Sequence, residues 1–345
     1  MRAMHSSGHS LSAATLICIF LCMACSGKAT GNTETDTDTL NAGASVPAFN
    51  ADSAYSYVRQ QTSFGPRVPG SDAHARTVEW LTGKLRSFGA DTVMIQTAEM
   101  ASVNGTLPVR NIFARFNSKA PSHILFLAHY DTRPWADEDP DEANHNKPID
   151  GANDGASGVG VLLEMARIIS MHAPQTGIDI LFADTEDSGK SAPADADLST
   201  QKLYDASWCL GSQYFVKNMP YAPGSLPKVA ILLDMVGARD AVFPREYFSA
   251  QAAPGWQKRI SDAASRAGYG DRFPQDIAGA VNDDHVPFIQ SGIPAIDIIE
   301  IGHPQTGSFN PVWHTLQDNI DNIDPATLKA VGSTIISLIY SDEVL

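Results

Sequence analysis

The sequence predicts an α/β domain of three layers, with a mostly parallel central sheet covered by helices on both faces. Six apolar runs have the length of buried strands, and most lack the alternation expected of a half-exposed strand. Apolar residues with helical spacing occur in the segments between these runs. Strands that alternate with helices form parallel sheets, because each crossover helix returns the chain to the same end of the sheet.

The predicted elements follow one another in a regular order. Two helices come first, over 52–63 and 72–88, with Asp52 and Ser71 as N-caps and Gly89 as a helix stop. The Pro/Gly-rich segment FGPRVPGS between them predicts a turn. The predicted strands lie at 91–96, 109–116, 123–130, 178–183, 229–236 and 293–299. The later predicted helices lie at 157–171, 209–218, 254–267 and 325–341.

The N-terminal segment does not have the pattern of a folded domain. Arg2 precedes the apolar run LICIFLCMAC, which ends at Cys25 and is too short to span a bilayer. We interpret 1–25 as a signal peptide, and the closing cysteine favours a bacterial lipoprotein signal with Cys25 lipidated. A plain secretory signal is the alternative. The polar segment 26–45 is typical of a flexible tether, which leaves 46–345 as a single α/β domain.

Charge and cysteine content narrow the classes of partner. The chain carries 24 basic and 39 acidic residues, a formal charge of −15, which argues against nucleic acids and anionic lipid surfaces. We expect an exported lipoprotein that contacts a membrane only through its N-terminal lipid anchor and faces the periplasm or the cell surface. Of the four cysteines only Cys209 follows the signal segment, so no intramolecular disulfide is expected in the mature chain. The acidic segment 135–144 is interpreted as a solvated loop, with calcium binding as the alternative.

The segment FADTEDSG contains the strongest chemical signal. It carries Asp184, Glu186 and Asp187 at the end of a buried strand. If the backbone is still extended there, Glu186 and Asp187 point in opposite directions, so one can bind a metal while the other acts on a substrate. Ligands of parallel sheets bind beyond the carboxyl ends of the strands. The other candidate side chains near such ends or in loops are His129, Asp131, Asp154, Asp234 and His314.

These candidates also have structural interpretations. His129 is compatible with a hydrogen-bonded histidine beneath a loop, and Asp154 with an N-cap for the helix that begins near Ser157. Their occurrence together with Glu186 and Asp187 favours a shared metal site over separate structural roles.

The motifs HYDT, GANDGASG, LLDMVGA and VWHT, with the acidic pair, resemble those of the zinc-dependent aminopeptidase family in its glutaminyl-peptide cyclotransferase branch. The resemblance extends from FGPRVPGS to the final helix and implies a zinc exopeptidase-like fold. It implies one zinc ion (Zn²⁺), held by Asp154, Asp187 and His314, with an open coordination position. Asp187 stands where many members have glutamate. Peptidase members bind a second zinc through the equivalents of His129 and Asp234, which are both present here.

The same resemblance implies a reaction and catalytic roles. Glu186 matches the general base, and NDDHVPF carries Asp283 where the peptidases usually have serine. The implied reaction is cyclisation of the N-terminal glutamine of peptides and proteins to pyroglutamate, with release of ammonia. Glu186 would move the amine proton, while Asp234 and Asp283 would share a proton and bond the leaving nitrogen. Commitment of Asp234 to that pair favours one zinc over two.

Aromatic residues are expected to line a narrow pocket. Trp313 adjoins a predicted ligand, and Trp208 and Phe288 are further candidates. The alternative function is a di-zinc aminopeptidase in which Glu186 activates water, and Asp283 argues against it. A binding module without catalysis is a third interpretation, and the presence of all ligand candidates and of Glu186 argues against it.

Overall fold

The computed structural model describes residues 46–222 and 224–341, and a mixed sheet of six strands lies at their centre. The strands are β1 (Thr92–Ser102), β2 (Gly105–Phe116), β3 (His123–His129), β4 (Gly177–Ala183), β5 (Ala230–Asp234) and β6 (Ala295–Ile299). Their order across the sheet is β1-β2-β4-β3-β5-β6. The pairs β3–β4, β3–β5 and β5–β6 are parallel, whereas β1–β2 and β2–β4 are antiparallel.

Helices cover the sheet on both faces. The nine α-helices of the described residues are α1 (Ala51–Thr62), α2 (Asp72–Ser87), α3 (Ala156–Met171), α4 (Leu198–Asp205), α5 (Leu210–Lys217), α6 (Tyr247–Ala252), α7 (Pro254–Arg266), α8 (His285–Gln290) and α9 (Pro325–Ile339). Side chains of α1, α3 and α9 belong to one buried apolar cluster, and Phe215 of α5 and Phe288 of α8 belong to another. The predicted three-layer α/β class is confirmed.

The alternation of side chains along β3 explains why its apolar run is continuous. Ile124 and Phe126 contact the first cluster, while Leu125 and Leu127 contact the second. Successive side chains of a strand point to opposite faces, so a strand covered on both sides is apolar at every position.

The amino-terminal edge of the sheet differs from the parallel arrangement. Val103 and Asn104 alone connect β1 to β2, and Gly105 follows them with φ of +100°. A connection of two residues permits only an antiparallel hairpin, because a parallel pair needs a crossover of a dozen or more residues. The Asn104–Gly105 dipeptide is a turn signal from which this hairpin was recognisable in the sequence.

Helix termini and short helices account for the other differences. Ser71 is the N-cap of α2, as predicted, but the N-cap of α1 is Asn50 and not Asp52, which lies in the first turn. The helices α4, α6 and α8, which have six to eight residues each, were not predicted.

The predicted signal segment 1–25 and tether 26–45 lie outside the described residues. Within the described part of the chain, no helix combines the length and the apolar character needed to cross a membrane.

Candidate active site

A cleft at the carboxyl ends of the parallel strands brings most of the predicted side chains together. β4 and β5 flank β3 on its two sides and run parallel to it, so the three strands end at one edge of the sheet. A cleft of about 540 Å³ opens at this edge. The predicted residues that line it are Glu186, Asp234, Asp283, Asp154, Asp187, His314, Trp313 and Trp208.

Asp154, Asp187 and His314, which we call the first ligand group, come from three separate segments. They lie before α3, after β4 and before α9. His314 Nε2 is 3.2 Å from Asp187 Oδ1 and 3.5 Å from Asp154 Oδ2. Burial favours a neutral imidazole, but the charge of Asp187 and the hydrogen bond with Asp137 outweigh it and raise the pKa of His314 to about 9. The carboxylates around His314 therefore favour a positive charge at this position.

A second ligand group, His129, Asp154 and Asp234, shares the central aspartate. His129 Nε2 is 3.0 Å from Asp154 Oδ1 and 3.2 Å from Asp234 Oδ1. Gly155 permits the close approach of the ring, because its φ is +85° and a Cβ there would lie 2.7 Å from His129 Cε1. Gly155 also occupies the N-cap position of α3, so Asp154 is not the N-cap. The carboxylate of Asp154 lies between the two histidines.

The donor atoms of the first ligand group fit a catalytic zinc ion. Two carboxylates and one imidazole are ligands that zinc accepts, with a fourth position left for substrate. The candidate ligand atoms all lie within 4.8 Å of one another. Asp187 Oδ2 is buried and has no hydrogen-bond partner among the described residues, which is costly unless a cation binds it. The candidate ligand atoms of the second ligand group also lie within 4.8 Å of one another.

Two charged side chains support the first ligand group from the protein side. Arg133 Nη1 lies 3.1 Å from Asp187 Oδ1, and its Nε and Nη2 bond the carboxylate of Asp137 at 2.6 and 2.5 Å. Asp137 Oδ1 lies 3.5 Å from His314 Nδ1. Burial opposes ionisation of Asp137, but hydrogen bonds from Arg133 and His314 hold its pKa well below the usual range. Asp137 is therefore an anion at the ring nitrogen that faces away from Asp187.

Glu186 lies in a third buried cluster, with Cys209 and Asp283. The Cys209 thiol donates to Glu186 Oε1 at 3.5 Å, so this cysteine belongs to the site and is not only part of the core. Burial raises the pKa of Glu186 well above its usual value, and the charges of Asp187 and Asp283 add to the shift while that of His129 opposes it. A carboxylate with a raised pKa suits a general base that works near neutral pH.

Asp283 is buried and lies near several other carboxyl groups. Its Oδ1 accepts the backbone N–H of Asp284 at 2.5 Å, and Asp234 Oδ1 accepts the backbone N–H of Met235 at 2.8 Å. Burial raises the pKa of Asp283 well above its usual value, and the charge of Asp234 adds to the shift. Asp234 therefore lies close enough to act on Asp283 through its charge, and the proton shared by Asp234 and Asp283 stays a prediction.

The segment that carries Glu186 and Asp187 is a turn and not the expected extended strand. β4 ends at Ala183, and Thr185 has φ of +55°. Asp131 accepts the backbone N–H groups of Glu186 and Asp187 at 3.1 and 3.2 Å, which holds the turn against the end of β3. The two side chains still reach different clusters, but the turn separates them, not the pleat of a strand.

Asp184, the first acid of the same segment, has a structural role. Its Oδ1 lies 2.8 Å from His74 Nε2, and its Oδ2 accepts the N–H of Arg110 at 2.6 Å. Both side chains of the Asp184–His74 pair are fully buried below the cleft.

The aromatic wall of the cleft differs from the expectation at one position. Trp313 stacks on the His314 ring with 3.6 Å between centroids, and Trp208 lies parallel to that ring at 6.5 Å. The prediction that Phe288 lines the pocket is wrong, because Phe288 is fully buried and packs on Phe215 with 5.9 Å between ring centroids. Phe309 lines the cleft instead, at 4.7 Å from Trp313.

Several residues that support the site were not identified from the sequence. Arg67, in the FGPRVPGS turn, donates to the carbonyl oxygens of Tyr130, Asp150 and Gly151, and so ties the Asp154 loop to the end of β3. The burial of a single arginine cannot be recognised from a pattern of apolar residues. Asp297 was recognisable, because a lone acid inside an apolar strand such as AIDII is uncommon.

The acidic segment is also more ordered than a solvated loop. Asp139 is buried and accepts hydrogen bonds from Asn144 Nδ2 at 2.9 Å and from the backbone N–H groups of Asp141 and Leu316 at 3.0 Å each. It therefore fastens the segment beside His314, and its carboxylate is occupied by these donors.

Known proteins of similar fold include glutaminyl cyclases and an aminopeptidase precursor. The crystal structure of Bacteroides thetaiotaomicron glutaminyl cyclase bound to N-acetylhistamine is 46% identical, covers 86% of this chain and 100% of its own, and superposes with a TM-score of 0.80. A leucine aminopeptidase precursor from the same organism is 45% identical, with coverage of 86% and 99% and a TM-score of 0.79. The glutaminyl-peptide cyclotransferase of Bos taurus is 25% identical over an alignment of 304 residues that covers 78% of this chain and 76% of the relative.

The family assignment follows from the extent of the match. The model of peptidase family M28 matches residues 111–339, about two thirds of the chain, from β2 to the end of α9. This range contains both ligand groups as well as Glu186 and Asp283. The chain belongs to peptidase family M28.

Proposed function

We propose that this protein is a zinc-dependent glutaminyl-peptide cyclotransferase that converts the N-terminal glutamine of peptides and proteins to pyroglutamate with release of ammonia. The observation that carries the proposal is the buried cluster of Glu186 and Asp283 beside the first ligand group. The solved glutaminyl cyclases at 46% identity and the curated cyclotransferases support the same reaction.

The reaction requires orientation and proton transfer within one substrate residue. The α-amine nitrogen of the glutamine forms a bond to its own side-chain amide carbon, and the bond from that carbon to the amide nitrogen breaks. An α-amine has a pKa near 7.7–8.0, so much of it is protonated and unreactive at neutral pH. Glu186 accepts the amine proton and returns it to the departing nitrogen, which leaves as ammonia. Zinc, when bound by Asp154, Asp187 and His314, supplies a Lewis acid that polarises the amide carbonyl.

Asp283 supplies the remaining proton donor. Burial raises its pKa well above the usual value, and the charges of Asp234 and Asp284 add to the shift. Asp283 therefore offers an O–H donor to the amide nitrogen as the ring closes. Trp313 and Phe309 exclude water and orient the glutamine side chain against the first ligand group.

We propose one zinc ion per chain, in the first ligand group. Asp187 Oδ2 offers an unpartnered buried oxygen, whereas in the second ligand group Asp234 Oδ1 already accepts the Met235 N–H and lies 3.2 Å from His129 Nε2. The intact second ligand group and the resemblance to a solved leucine aminopeptidase precursor favour the second candidate function, a di-zinc aminopeptidase.

One experiment separates the two functions. The purified zinc-loaded protein is incubated with a peptide that begins Gln-Phe, and mass spectrometry follows the peptide and any free amino acid. We expect loss of one ammonia from an otherwise intact peptide, and a reduction of about 10²–10⁴-fold in that rate for Glu186→Gln. Release of free glutamine would identify a peptidase and overturn the proposal.

We further propose that the protein is exported and anchored by a lipid on Cys25, facing the periplasm or the cell surface, with the polar segment 26–45 as a tether. The apolar run that ends at Cys25 supports this. Metabolic labelling with a fatty acid should mark the wild-type chain and not Cys25→Ala, and labelling of neither chain would contradict it.

A further inference from the structure

Arg133 closes a ring of polar contacts behind the first ligand group. Its guanidinium bonds Asp187 on one side and Asp137 on the other. Asp137 contacts His314 Nδ1 at 3.5 Å, and His314 Nε2 contacts Asp187 Oδ1 at 3.2 Å. The ring therefore joins two of the three candidate zinc ligands through side chains that are not ligands themselves.

The position of Arg133 is determined by several independent contacts. Beyond the carboxylates, Nη1 donates to the carbonyl oxygens of Asp187 at 3.2 Å and Gly189 at 3.3 Å. The guanidinium carbon lies 5.2 Å from the centroid of Trp135 and 4.9 Å from that of Trp208. Its side chain is only 3% exposed. A planar guanidinium held by carboxylates, carbonyls and aromatic faces has few alternative positions.

This arrangement determines which oxygen of Asp187 is free. Arg133 and His314 both contact Oδ1, while Oδ2 is buried without a partner among the described residues. An aspartate carboxylate has two side-chain torsions, so its position follows the backbone closely. Arg133 binds both the carboxylate and the carbonyl of Asp187, and therefore holds the backbone and the ligand oxygen together.

Asp137 has a corresponding effect on His314. A carboxylate at Nδ1 favours the tautomer that carries its proton there, which leaves the lone pair of Nε2 free for a metal. Nε2 is the nitrogen that faces Asp154 and Asp187.

We propose that Arg133 is a positioning residue for zinc, which orients Asp187 directly and His314 through Asp137. The inference rests on the metal site of the proposed function and not on the identity of the substrate. Its test therefore measures zinc affinity, by competition with a chromophoric chelator, on the purified protein without any peptide.

The expected result distinguishes four variants. Arg133→Gln and Asp137→Asn should each weaken zinc binding about 10–100-fold, the effect typical of residues that orient metal ligands. Arg133→Lys should show an intermediate loss, because it keeps the charge but not the planar fork. The matched control is Arg115→Gln, which breaks an Arg–Asp pair of 3.0 Å between β2 and β4, away from the cleft, and should leave zinc affinity unchanged.

Two further measurements make the proposal falsifiable. The double variant of Arg133→Gln and Asp137→Asn should bind zinc little more weakly than Arg133→Gln alone, because both residues act through one connected path. If the fold losses in zinc affinity of the two single variants multiply in the double variant, the two residues act independently, and the proposal is overturned. Thermal unfolding of the metal-free variants gives a separate readout. A variant with lower stability but wild-type zinc affinity would show that Arg133 has only a structural role, and would overturn the proposal. Ring-dependent zinc binding by a protein that forms no pyroglutamate would contradict the proposed function and support this inference.

Discussion

The two ligand groups share Asp154 and contain the same types of side chain, yet their surroundings differ. In the first, Arg133 and Asp137 hold Asp187 and His314 from behind, and Asp187 Oδ2 has no partner. In the second, His129 and Asp234 contact one another at 3.2 Å, and Asp283 and Asp297 lie beside them. Ligand identity is therefore insufficient to assign a metal site, because the contacts behind each ligand decide which atoms are available.

The largest expected effect comes from removing a ligand of the first group, and removal of a ligand of the second group is the comparison. His314→Gln should weaken zinc binding by more than about 100-fold, because loss of a direct ligand exceeds the 10–100-fold cost of an orienting residue. His129→Gln should retain one tightly bound zinc. Metal analysis after chelator dialysis checks both variants, and Asp234→Asn repeats the second test if the buried His129 variant does not fold. Two zinc ions in the wild type, reduced to one by Asp234→Asn, would contradict the difference between the groups.

A smaller effect is expected from the acids beside the second group. Asp283→Asn should lower the cyclisation rate about 10²-fold, because the acidic O–H that Asp283 offers to the leaving nitrogen is lost, while zinc content stays unchanged. Steady-state release of ammonia measures the rate, and Asp240→Asn on the surface is the control. If Asp283→Asn lowers zinc content in proportion to activity, Asp283 belongs to a metal site and is not a proton donor.

The aromatic residues test which group faces the substrate. Phe309→Ala, on the side of Trp313 and His314, should raise KM about 2–10-fold, as expected for loss of one aromatic contact of about 0.5–1.5 kcal/mol. Phe288→Ala should instead lower the free energy of unfolding by about 3–5 kcal/mol without a matching change in KM. Kinetics with a Gln-Phe peptide and chemical denaturation separate the two, and an altered KM for Phe288→Ala alone would reverse the assignment.

The smallest effect is the pH dependence of the metal-free protein. Burial, more than any other cause, raises the pKa values of Asp284, Glu300 and Asp318 to about 7. Because their pKa values are raised in the folded state, these acids contribute their full stabilisation below about pH 4, the pKa of carboxyls in the unfolded chain. That stabilisation is lost as the pH rises through 7. The unfolding midpoint of metal-free protein should therefore fall by a few degrees between pH 5.5 and 8. An unchanged or rising midpoint would contradict the burial of uncompensated acids around the ligand groups.

The site residues could be predicted from the sequence to the extent that they adjoin apolar strands. His129, Asp187 and Asp234 follow buried runs, and parallel strands end at one edge of a sheet, so their proximity follows from local pattern alone. Asp297 was recognisable as a lone acid in an apolar strand, and the hairpin at Asn104 as an Asn-Gly signal.

The sequence by itself determined the α/β class, the strand order along the chain and the candidate ligands, because apolar period and residue type are local properties. Only the tertiary structure decided that Cys209 lies beside Glu186, that Arg133 and Asp137 support the first ligand group, and that Phe309 lines the cleft. It also decided that Phe288 is core. These contacts join residues far apart in the chain, and the direction of each side chain depends on turns and packing that no local pattern specifies.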